Sequence, residues 1–397
     1  MDGSDAASSS RYSRQMLVHG REAQNGLERA KVLVVGAGAL GCGCLPYLVG
    51  AGVGRVTIAD GDRVELSNLH RQPLHSEEGA RLRRNKADSA ATRLRELNSS
   101  IEIVAVSRHC GFDEATQSLV AAHDVVVDCS DNVGTRYLLN DACILAERKP
   151  LVSGAAIGQE GTLARYGSGG CCYRCANPQP QALEGRRRCA DAGVLGPVPG
   201  ALGALQALEV LKVLRGEPAT GKLRLFDGET IRAFGLGPLK RDSCEVCGVD
   251  PSIRSLGDSE AWCKTQGIVV NNEGSFGSLL PPPRCALPEF AEGTVNELAE
   301  ALKSKKVLLL DVREAVQFSI CAIPDATSLP LRIILTRPEQ ARLIISQHDH
   351  AFVICRRGVD SRVATLELAK LGLKNARNVD GGLDAWRKLV DPTFPSY

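Results

Sequence analysis

The sequence predicts an α/β protein in which a doubly wound parallel sheet is followed by a second, smaller α/β domain. Short apolar runs alternate with helical periods from Arg29 to about Leu236, which is the pattern of a parallel sheet with helices on both faces. A second α/β pattern begins near residue 287. The chain has 397 residues, and this length indicates two or three domains rather than one core.

Composition narrows the class of protein. The 40 glycines and the 4% of aromatic residues favour α/β layers joined by tight loops. The net charge of +2 argues against direct nucleic-acid binding, which needs clustered Lys and Arg. No apolar run reaches the roughly 20 residues that span a bilayer, so no membrane contact is expected. We expect a cytosolic protein whose 15 cysteines are thiols, metal ligands or nucleophiles rather than disulfides.

The elements of the first domain follow from its apolar runs. Its strands are expected in KVLVVGAG, GRVTIADGD, IEIVAV, DVVVDCSDN and PLVSGAA, and a long core helix in residues 193–214. The stretch GSLLPPPRC is typical of a linker. KVLLLDVRE, FVICRRG and ARNVDGGLDAW predict the strands of the second domain. The expected divisions are a disordered segment 1–11, a first domain 12–250, a linker 251–286 and a second domain 287–397.

A glycine-rich turn follows the first predicted strand. In VLVVGAGALG, Gly36, Gly38 and Gly41 form G-x-G-x-x-G, and Asp60 closes the next strand. Glycines let the backbone approach a phosphate at a helix N-terminus, and the acid takes ribose hydroxyls. This pattern fits NAD, FAD and ATP, and a nicotinamide dehydrogenase is an alternative at this point.

The polar residues after Asp60 favour a nucleoside triphosphate. They are, in chain order, Asn68, Arg71, Gln72, Lys86, Asp131 and Asn132. Cleavage between the α- and β-phosphates needs cationic groups and an acid for magnesium, whereas hydride transfer needs neither. Taken singly, Arg71 or Lys86 could be a solvated surface charge and Asp131 a helix N-cap, but the ordered set indicates phosphate chemistry.

Cysteines form two further patterns. The pairs CYRC and CEVC are C-x-x-C knuckles that can complete one closed tetrahedral zinc site, although a redox dithiol is the alternative for either pair. Their members are Cys172, Cys175, Cys244 and Cys247. Cys189 follows three arginines, which depress a thiol pKa and make a nucleophile plausible; an incidental loop thiol is the other interpretation.

CRRGVDSR, from Cys355 to Arg362, follows the apolar run FVI. A cysteine at this place opens a turn whose amides converge on its sulfur. Such a loop could hold phosphate, a phosphorylated substrate or a persulfide. The arginine position of a tyrosine phosphatase loop is occupied by Ser361, so that spacing fails.

Motifs in the first domain resemble the E1-like adenylating enzymes that activate ubiquitin-like sulfur carriers. They are RYSRQ, GAGALG, DGDRVELSNLHRQ, DCSDN, LVSGAAIGQEG and GVLGPVPGALGALQALEVLK. The resemblance implies a Rossmann-like fold, ATP with Mg²⁺ at Asp131, a structural Zn²⁺, and Cys189 as acyl acceptor. It also implies a homodimer in which Arg14 reaches the neighbouring subunit's triphosphate. The implied nucleotide contacts are Gly36, Gly38, Ala39, Gly41, Asp60, Ser67, Asn68, Leu69, His70, Arg71, Lys86, Asp131, Asn132 and Arg14.

The second domain resembles the rhodaneses. CRRGVD fits their six-residue CRxGxx loop, and LLDVRE, IPDATSLPL and VDGGLDAW are similar to their other landmarks. This resemblance implies that Cys355 carries a persulfide. Asp360 places an acid at the loop end, where it repels thiosulfate, and therefore we expect a protein persulfide as the donor.

The whole chain is similar to the fused adenylyltransferase and sulfurtransferase of eukaryotes. That family serves the small subunit of molybdopterin synthase and the ubiquitin-related modifier of tRNA wobble-uridine thiolation. The implied partners are diglycine-ending carriers and a persulfide donor such as a cysteine desulfurase. An E1 for protein conjugation with little sulfur transfer is the main alternative, and a non-enzymatic scaffold is the other.

Overall fold

The computed structural model describes residues 11–167, 170–180, 193–236, 240–266, 268, 287–288, 291–303 and 307–395. The segment predicted to be disordered, 1–11, lies outside this part except for Arg11. The chain divides into two compact units between residues 280 and 281.

The first unit contains an eight-stranded sheet in the order β3-β2-β1-β4-β5-β6-β7-β8. The strands are β1 Lys31–Val35, β2 Arg55–Ala59, β3 Glu102–Val106, β4 Val125–Asp128, β5 Leu151–Ile157, β6 Glu160–Tyr166, β7 Lys222–Phe226 and β8 Ile231–Gly235. The five predicted strands are confirmed and pair in parallel. Strands β6 to β8 were not predicted, and they extend the parallel part of the sheet with antiparallel pairing. The chain turns from β5 into β6 within two residues, and a connection this short permits only antiparallel pairing.

Helices cover both faces of this sheet. They are α1 Ser13–Arg29, α2 Ala39–Gly50, α3 Glu77–Arg81, α4 Lys86–Leu97, α5 Glu114–Ala121, α6 Val133–Leu145, α7 Tyr173–Ala176, α8 Pro197–Leu214 and α9 Leu256–Thr265. One core packs α2, α4 and α8 against the sheet, and another packs α5, α6 and α9. The ends of β1, β2 and β4 therefore meet where the strand order reverses, which is the usual ligand crevice of an open α/β sheet.

Helix α8 confirms the predicted core helix, although it begins at Pro197 rather than at residue 193. It is long and apolar enough to cross a membrane by composition alone, but it packs across α2 inside the protein. A Cβ on Gly43 would lie 2.5 Å from the Gly200 carbonyl oxygen, and one on Gly203 would lie 2.3 Å from that of Leu40. Glycines thus permit the close helix crossing that this buried position requires.

Helix α9 corrects the predicted linker, because residues 256–265 pack into the first unit. Ser255 and Asp258 form a capping box at its start, and Cys263 is fully buried. The Trp262 ring lies 5.0 Å from that of Tyr137 on α6. The helix supplies few apolar residues at helical spacing, and so its period is weak in the sequence.

The second unit has a five-stranded parallel sheet in the order β11-β10-β12-β13-β9. Its strands are β9 Glu292–Gly293, β10 Leu308–Asp311, β11 Thr327–Ser328, β12 Ala351–Ile354 and β13 Ala376–Val379. Its helices are α10 Val295–Lys303, α11 Ala315–Ile320, α12 Leu331–Thr336, α13 Pro338–Ile345, α14 Val359–Lys370 and α15 Gly382–Leu389. The three predicted strands are confirmed as β10, β12 and β13. The predicted thiol turn begins where β12 ends, in the middle of this sheet.

Candidate functional site

The glycine turn lies between β1 and α2. Gly36 has φ +103°, and a Cβ there would lie 2.6 Å from the Cys129 carbonyl oxygen. A Cβ on Gly41 would lie 2.1 Å from the Gly36 carbonyl oxygen. Gly38 is the N-cap of α2 and Ala39 its first residue, so the helix presents its unpaired amides at the end of β1. This terminus can bind phosphate.

Asp60 is fixed against the same turn. One oxygen of its carboxylate accepts a hydrogen bond from the Ala37 amide at 2.7 Å, and the other accepts one from the Asp62 amide at 2.8 Å. Burial raises the pKa of Asp60, and the charge of Lys86 opposes that rise. Asp60 therefore stabilises the glycine turn by a hydrogen bond, and it also lies at the position predicted for ribose binding.

Lys86 lies at the start of α4, where Asn85 caps the helix. Its Nζ is 2.8 Å from an oxygen of Asp62. Burial alone would lower the pKa of Lys86, but the carboxylates of Asp60 and Asp62 outweigh burial and raise it. Lys86 is consequently a buried, charged ammonium group beside the phosphate turn. Asp62 was missed as its partner, although the paired acids of DGD were the available signal.

Arg71 is held by the segment before it, where Leu66–Asn68 form a 3-10 helix. One terminal nitrogen of its guanidinium donates to the Asn68 side-chain oxygen at 2.6 Å. The other donates to the Ser67 carbonyl at 3.2 Å and to Nε2 of His70 at 2.6 Å. Leu69 ends the 3-10 helix. The segment thus orients Arg71 through contacts within its own motif.

Asp131 and Asn132 follow β4 with different roles. Asn132 caps α6 by accepting from the Thr135 amide at 2.8 Å, so the N-cap considered for Asp131 belongs to its neighbour. Burial lowers the pKa of Arg71, and the exposed Asp131 carboxylate offsets part of that lowering. The same carboxylate makes a smaller contribution than Asp60 and Asp62 to the raised pKa of Lys86. The structure therefore brings the acid and the two cations together at the switch point of the sheet.

The roles of two further residues stay predictions. Arg14 is exposed on α1, and its contact with a neighbouring subunit stays a prediction. Cys189 belongs to residues 181–192, outside the described part of the chain. Its role as acyl acceptor also stays a prediction.

The four predicted cysteine ligands converge in one buried cluster. All four sulfur atoms lie within 4.8 Å of one another, and the Cys172 sulfur is 3.6 Å from that of Cys244 and 3.5 Å from that of Cys247. Bonds of about 2.3 Å to a tetrahedral metal give sulfur separations of about 3.8 Å. The cluster could therefore hold a metal ion with little movement.

A buried ion pair supports the cysteine knuckle. Arg174 and Asp141 both have fully buried side chains, with Nη2 of the arginine 2.7 Å from Oδ2 of the acid. The guanidinium carbon lies 3.9 Å from the centre of the Trp262 ring, and Ser259 Oγ donates to Asp141 at 2.5 Å. This network ties the knuckle to α6 and α9. Its partners are distant in sequence, which is why spacing gave no signal for them.

The loop of CRRGVDSR curls around the Cys355 sulfur, which is buried. The Gly358 amide donates to Sγ at 3.1 Å, and Ser361 Oγ donates to it at 3.3 Å. Gly358 has φ +81° and is the N-cap of α14. Ser361, which stands at the position of the arginine in a phosphatase loop, is thus a hydrogen-bond donor to the sulfur. The sequence had indicated only that this position does not fit a phosphatase.

The segment VDGG and the residue after it pack against this loop. The Leu383 amide donates to the Cys355 carbonyl at 3.0 Å, and a Cβ on Gly382 would lie 2.3 Å from that same oxygen. On the other side, the Val312 amide donates to the Ile354 carbonyl at 2.9 Å. Backbone hydrogen bonds from both sides therefore fix the loop to neighbouring strand ends.

Replacing Asp360 with asparagine is expected to shift Cys355 reactivity to lower pH. Burial raises the pKa of Cys355, the Asp360 carboxylate raises it further, and hydrogen bonds from Ser361 and the Arg357 backbone lower it. Removing the acid favours the thiolate, and alkylation of Cys355 will reach its half-maximal rate at lower pH. Thiosulfate turnover will rise severalfold because the dianion meets less repulsion.

Glu367→Gln removes an acid further along α14, one that pairs with Lys370, and should change neither property. An Asp360→Asn profile superimposable on the wild type would show that the acid does not act on the sulfur.

The two units define a class of protein: a Rossmann-like nucleotide-binding domain with a cysteine cluster, followed by a small α/β domain with a thiol cradle. The sequence profile of the ThiF family matches residues 12–246, and that of the rhodanese-like domain matches residues 294–389. The chain belongs to the ThiF family and carries a rhodanese-like domain after its ThiF domain.

Relatives resemble the chain over almost its whole length. It is 44% identical to the Aedes aegypti protein "Adenylyltransferase and sulfurtransferase MOCS3", covering 98% of this chain and 88% of the relative. It is 42% identical to the Culex quinquefasciatus protein of the same name, covering 98% and 89%. The chain is accordingly an enzyme of the adenylyltransferase and sulfurtransferase type.

Solved structures resemble the first unit in fold. A crystal structure of E. coli MccB with ATP has a TM-score of 0.51 and 23% identity, covering 60% of this chain and 73% of that one. Another, of MccB with AMPCPP and MccA, has a TM-score of 0.52 and 24% identity, covering 60% and 74%. These likenesses support the fold of the adenylating unit.

Proposed function

We propose that this enzyme uses ATP to adenylate the terminal glycine of diglycine-ending ubiquitin-like carriers and then converts that glycine to a thiocarboxylate with sulfur from Cys355. The observation that carries the proposal is the joining, in one chain, of the charged crevice around Lys86 and the sulfur cradle around Cys355. Adenylation alone would not require a sulfur cradle, and a sulfur cradle alone would not require an ATP site. Making a thiocarboxylate from a carboxylate requires both.

In the first step, a carboxylate oxygen of the carrier bonds to the α-phosphorus of ATP, and the bond from that phosphorus to pyrophosphate breaks. The α2 amides and the cations Arg71 and Lys86 offset the charge that moves onto pyrophosphate. Asp131 would hold Mg²⁺, which supplies further charge neutralisation when bound. The product is a mixed anhydride whose glycine carbonyl is open to attack.

In the second step, the outer sulfur of a Cys355 persulfide bonds to this carbonyl and AMP leaves. The resulting acyl disulfide is split when a second thiol attacks the Cys355 sulfur. The thiocarboxylate departs with the bonding electron pair, and the two thiols are left as a disulfide that an external thiol reduces. Cys189 is our candidate for that second thiol; an acyl thioester before sulfur arrives is the alternative order.

The carriers that fit this reaction are the small subunit of molybdopterin synthase and the ubiquitin-related modifier of tRNA wobble-uridine thiolation. A cysteine desulfurase would load Cys355, since it makes protein persulfides. Arg14 is proposed to complete the triphosphate site of a second subunit in a homodimer. We place these reactions in the cytosol.

The four-cysteine cluster is proposed to hold a structural Zn²⁺. Its ligands are thiolates only, and a backbone amide donates to Cys175 Sγ from Arg241 at 3.3 Å, as outer contacts of metal thiolates do. A closed all-cysteine site leaves no open position for substrate. Elemental analysis should find one zinc ion per chain, and Cys244→Ser should release it.

Pyrophosphate exchange into ATP tests the adenylating half. It should require a carrier ending in two glycines and should fall by about 10²-fold or more when the last glycine is deleted, because the attacking carboxylate is then misplaced. Exchange that proceeds equally without the carrier would contradict the proposal. Transfer of the carrier onto protein lysines without thiocarboxylate would instead support an E1 for conjugation.

A further inference from the structure

Residues 81–84, with the sequence Arg-Leu-Arg-Arg, carry the chain from the end of α3 to the N-cap of α4, and we call them the arginine loop. All four side chains are exposed. Asn85 follows the loop, and its side chain donates to the carbonyls of Asp60 and Asp62 at 2.9 Å and 3.2 Å. Lys86 comes next, as the first residue of α4. The arginine loop therefore borders the nucleotide crevice but belongs to its outer surface.

The backbone of the arginine loop is fixed by its neighbours. Nη1 of Arg63 donates to the Arg83 carbonyl at 2.8 Å. The Arg84 amide donates to the Gly79 carbonyl at 2.9 Å, and the Arg84 carbonyl accepts from the Val64 amide at 2.8 Å. Arg83 has φ +48°, a left-handed conformation that is uncommon for residues other than glycine, asparagine and aspartate. The loop thus presents its side chains from a backbone that is held before any partner binds.

The positive charge at this place is not balanced within the unit. Arg81 lies 3.7 Å from Glu78. The guanidinium groups of Arg63, Arg83 and Arg84 have no carboxylate within ion-pair distance in the part of the chain that the structure describes. Like charges held close together repel one another, and an anionic surface that approaches them relieves this repulsion. The charge of the loop therefore favours an acidic partner.

Apolar surface beside the arginine loop indicates that this partner is a protein. Leu82 is 49% exposed and Leu66 is 67% exposed. A groove of about 520 Å³ lies next to them, lined by Leu66, Glu77, Glu78, Ala80 and Arg81. A free nucleotide or phosphate would gain nothing from exposed leucines, whereas a protein partner would bury them.

We propose that the arginine loop, together with Arg63, is a docking surface for an acidic face of the carrier protein. The last residues of the carrier have to reach the phosphate turn while its folded body stays outside, and so the body has to rest on surface that borders the crevice. This inference rests on the proposed adenylation of carriers, and it adds a surface that recognises them by charge. Contacts between exposed charges act mainly on the association rate and weaken with salt.

Arg83→Asn combined with Arg84→Gln removes two of the charges, and asparagine tolerates the left-handed backbone at its position. With the small subunit of molybdopterin synthase as the carrier, we expect its KM in pyrophosphate exchange to rise by about five- to tenfold at low ionic strength. The KM for ATP should stay at the wild-type value. At high ionic strength the difference in carrier KM should shrink to less than about twofold, because salt screens exposed charges.

Arg29→Gln combined with Arg254→Gln is the matched control, because it removes the same charge from two exposed arginines elsewhere in the unit. Arg29 ends α1 just before β1 begins, which is the opposite end of that strand from the crevice. Arg254 pairs with Asp250 at 3.0 Å. The carrier KM of this variant should equal that of the wild type, and melting temperatures show whether each variant is folded.

An unchanged carrier KM in the double loop variant would overturn the proposal. Arg84→Glu alone, at an exposed side chain, decides the question in the same way if the double variant does not fold. A KM for ATP that rises as much as that of the carrier would also overturn it, because the loop would then attract the nucleotide. A changed oligomeric state with carrier KM retained would do so too, since the loop would then contact a second copy of this chain.

Failure of wild-type exchange with every carrier would count against adenylation itself. In that case the Kd of the same carrier protein for the wild type and for the double loop variant still decides the docking surface. Weaker binding by the variant would support the proposal, and equal Kd values would overturn it.

Discussion

Cys355→Ser is expected to reduce thiocarboxylate formation by at least about 10³-fold while carrier-dependent pyrophosphate exchange continues at the wild-type rate. A serine oxygen can accept the hydrogen bonds from Gly358 and Ser361, and so the loop should fold, but it cannot carry sulfane sulfur. The charged crevice belongs to the other compact unit and keeps all its residues. Quenched assays for AMP, pyrophosphate and thiocarboxylate on the same samples separate the two effects.

Cys321→Ser is the matched control. Cys321 is a half-buried thiol of the same unit, and the Arg313 guanidinium lies 4.0 Å from its sulfur. Nothing in the proposed steps uses it, so sulfur transfer should be retained. Thiocarboxylate formation that survives in Cys355→Ser and is lost in Cys321→Ser would reassign the sulfur carrier.

Lys86→Met is expected to lower the rate of carrier adenylation by about 10²- to 10³-fold. The ammonium group is the cation that balances Asp60 and Asp62 at the phosphate turn, and the raised pKa of Lys86 shows that those acids favour its charged form. Without it, a triphosphate would meet three carboxylates, counting Asp131, and the predicted set would keep only Arg71 and the Arg14 proposed to come from a second subunit as cations. Initial rates of pyrophosphate exchange over a range of ATP concentrations measure the loss.

Lys212→Met offers a control with a comparable ion pair. Lys212 is partly buried on α8, and its Nζ lies 2.9 Å from Glu209. Its loss should lower stability slightly and leave exchange intact. Equal exchange rates in Lys86→Met and the wild type would remove Lys86 from the mechanism, whereas a partial loss in Lys86→Arg would show that charge and reach both matter.

Local patterns were sufficient to predict several features that the structure shows. The glycine turn was predictable because its tight backbone leaves no room for a side chain at Gly36 or Gly41, and this requirement appears in the sequence as the G-x-G-x-x-G pattern. The cysteine pairs were predictable because metal geometry restricts knuckle spacing. The six-residue loop at Cys355 was predictable because a short turn after a strand directs its amides onto one atom.

Features that depend on distant partners were not predictable. Asp141 and Arg174 lie 33 residues apart in the chain, and their burial follows from how α6, α7 and α9 pack. Strand β8 exposes Ile231 and Phe234, and the apolar residues of β7 are only half-buried, so no clear alternation of buried and exposed positions marks either strand in the sequence. Helix α9 was mistaken for linker because a few buried residues, rather than a regular apolar face, hold it.

The most direct test is the intact mass of a diglycine-ending carrier after incubation with this enzyme, ATP, Mg²⁺ and a persulfide donor. We predict a gain equal to the replacement of one oxygen by one sulfur, dependent on ATP and absent with Cys355→Ala. An unchanged carrier mass with continued pyrophosphate release would contradict the account, because adenylation would then be disconnected from the sulfur on Cys355.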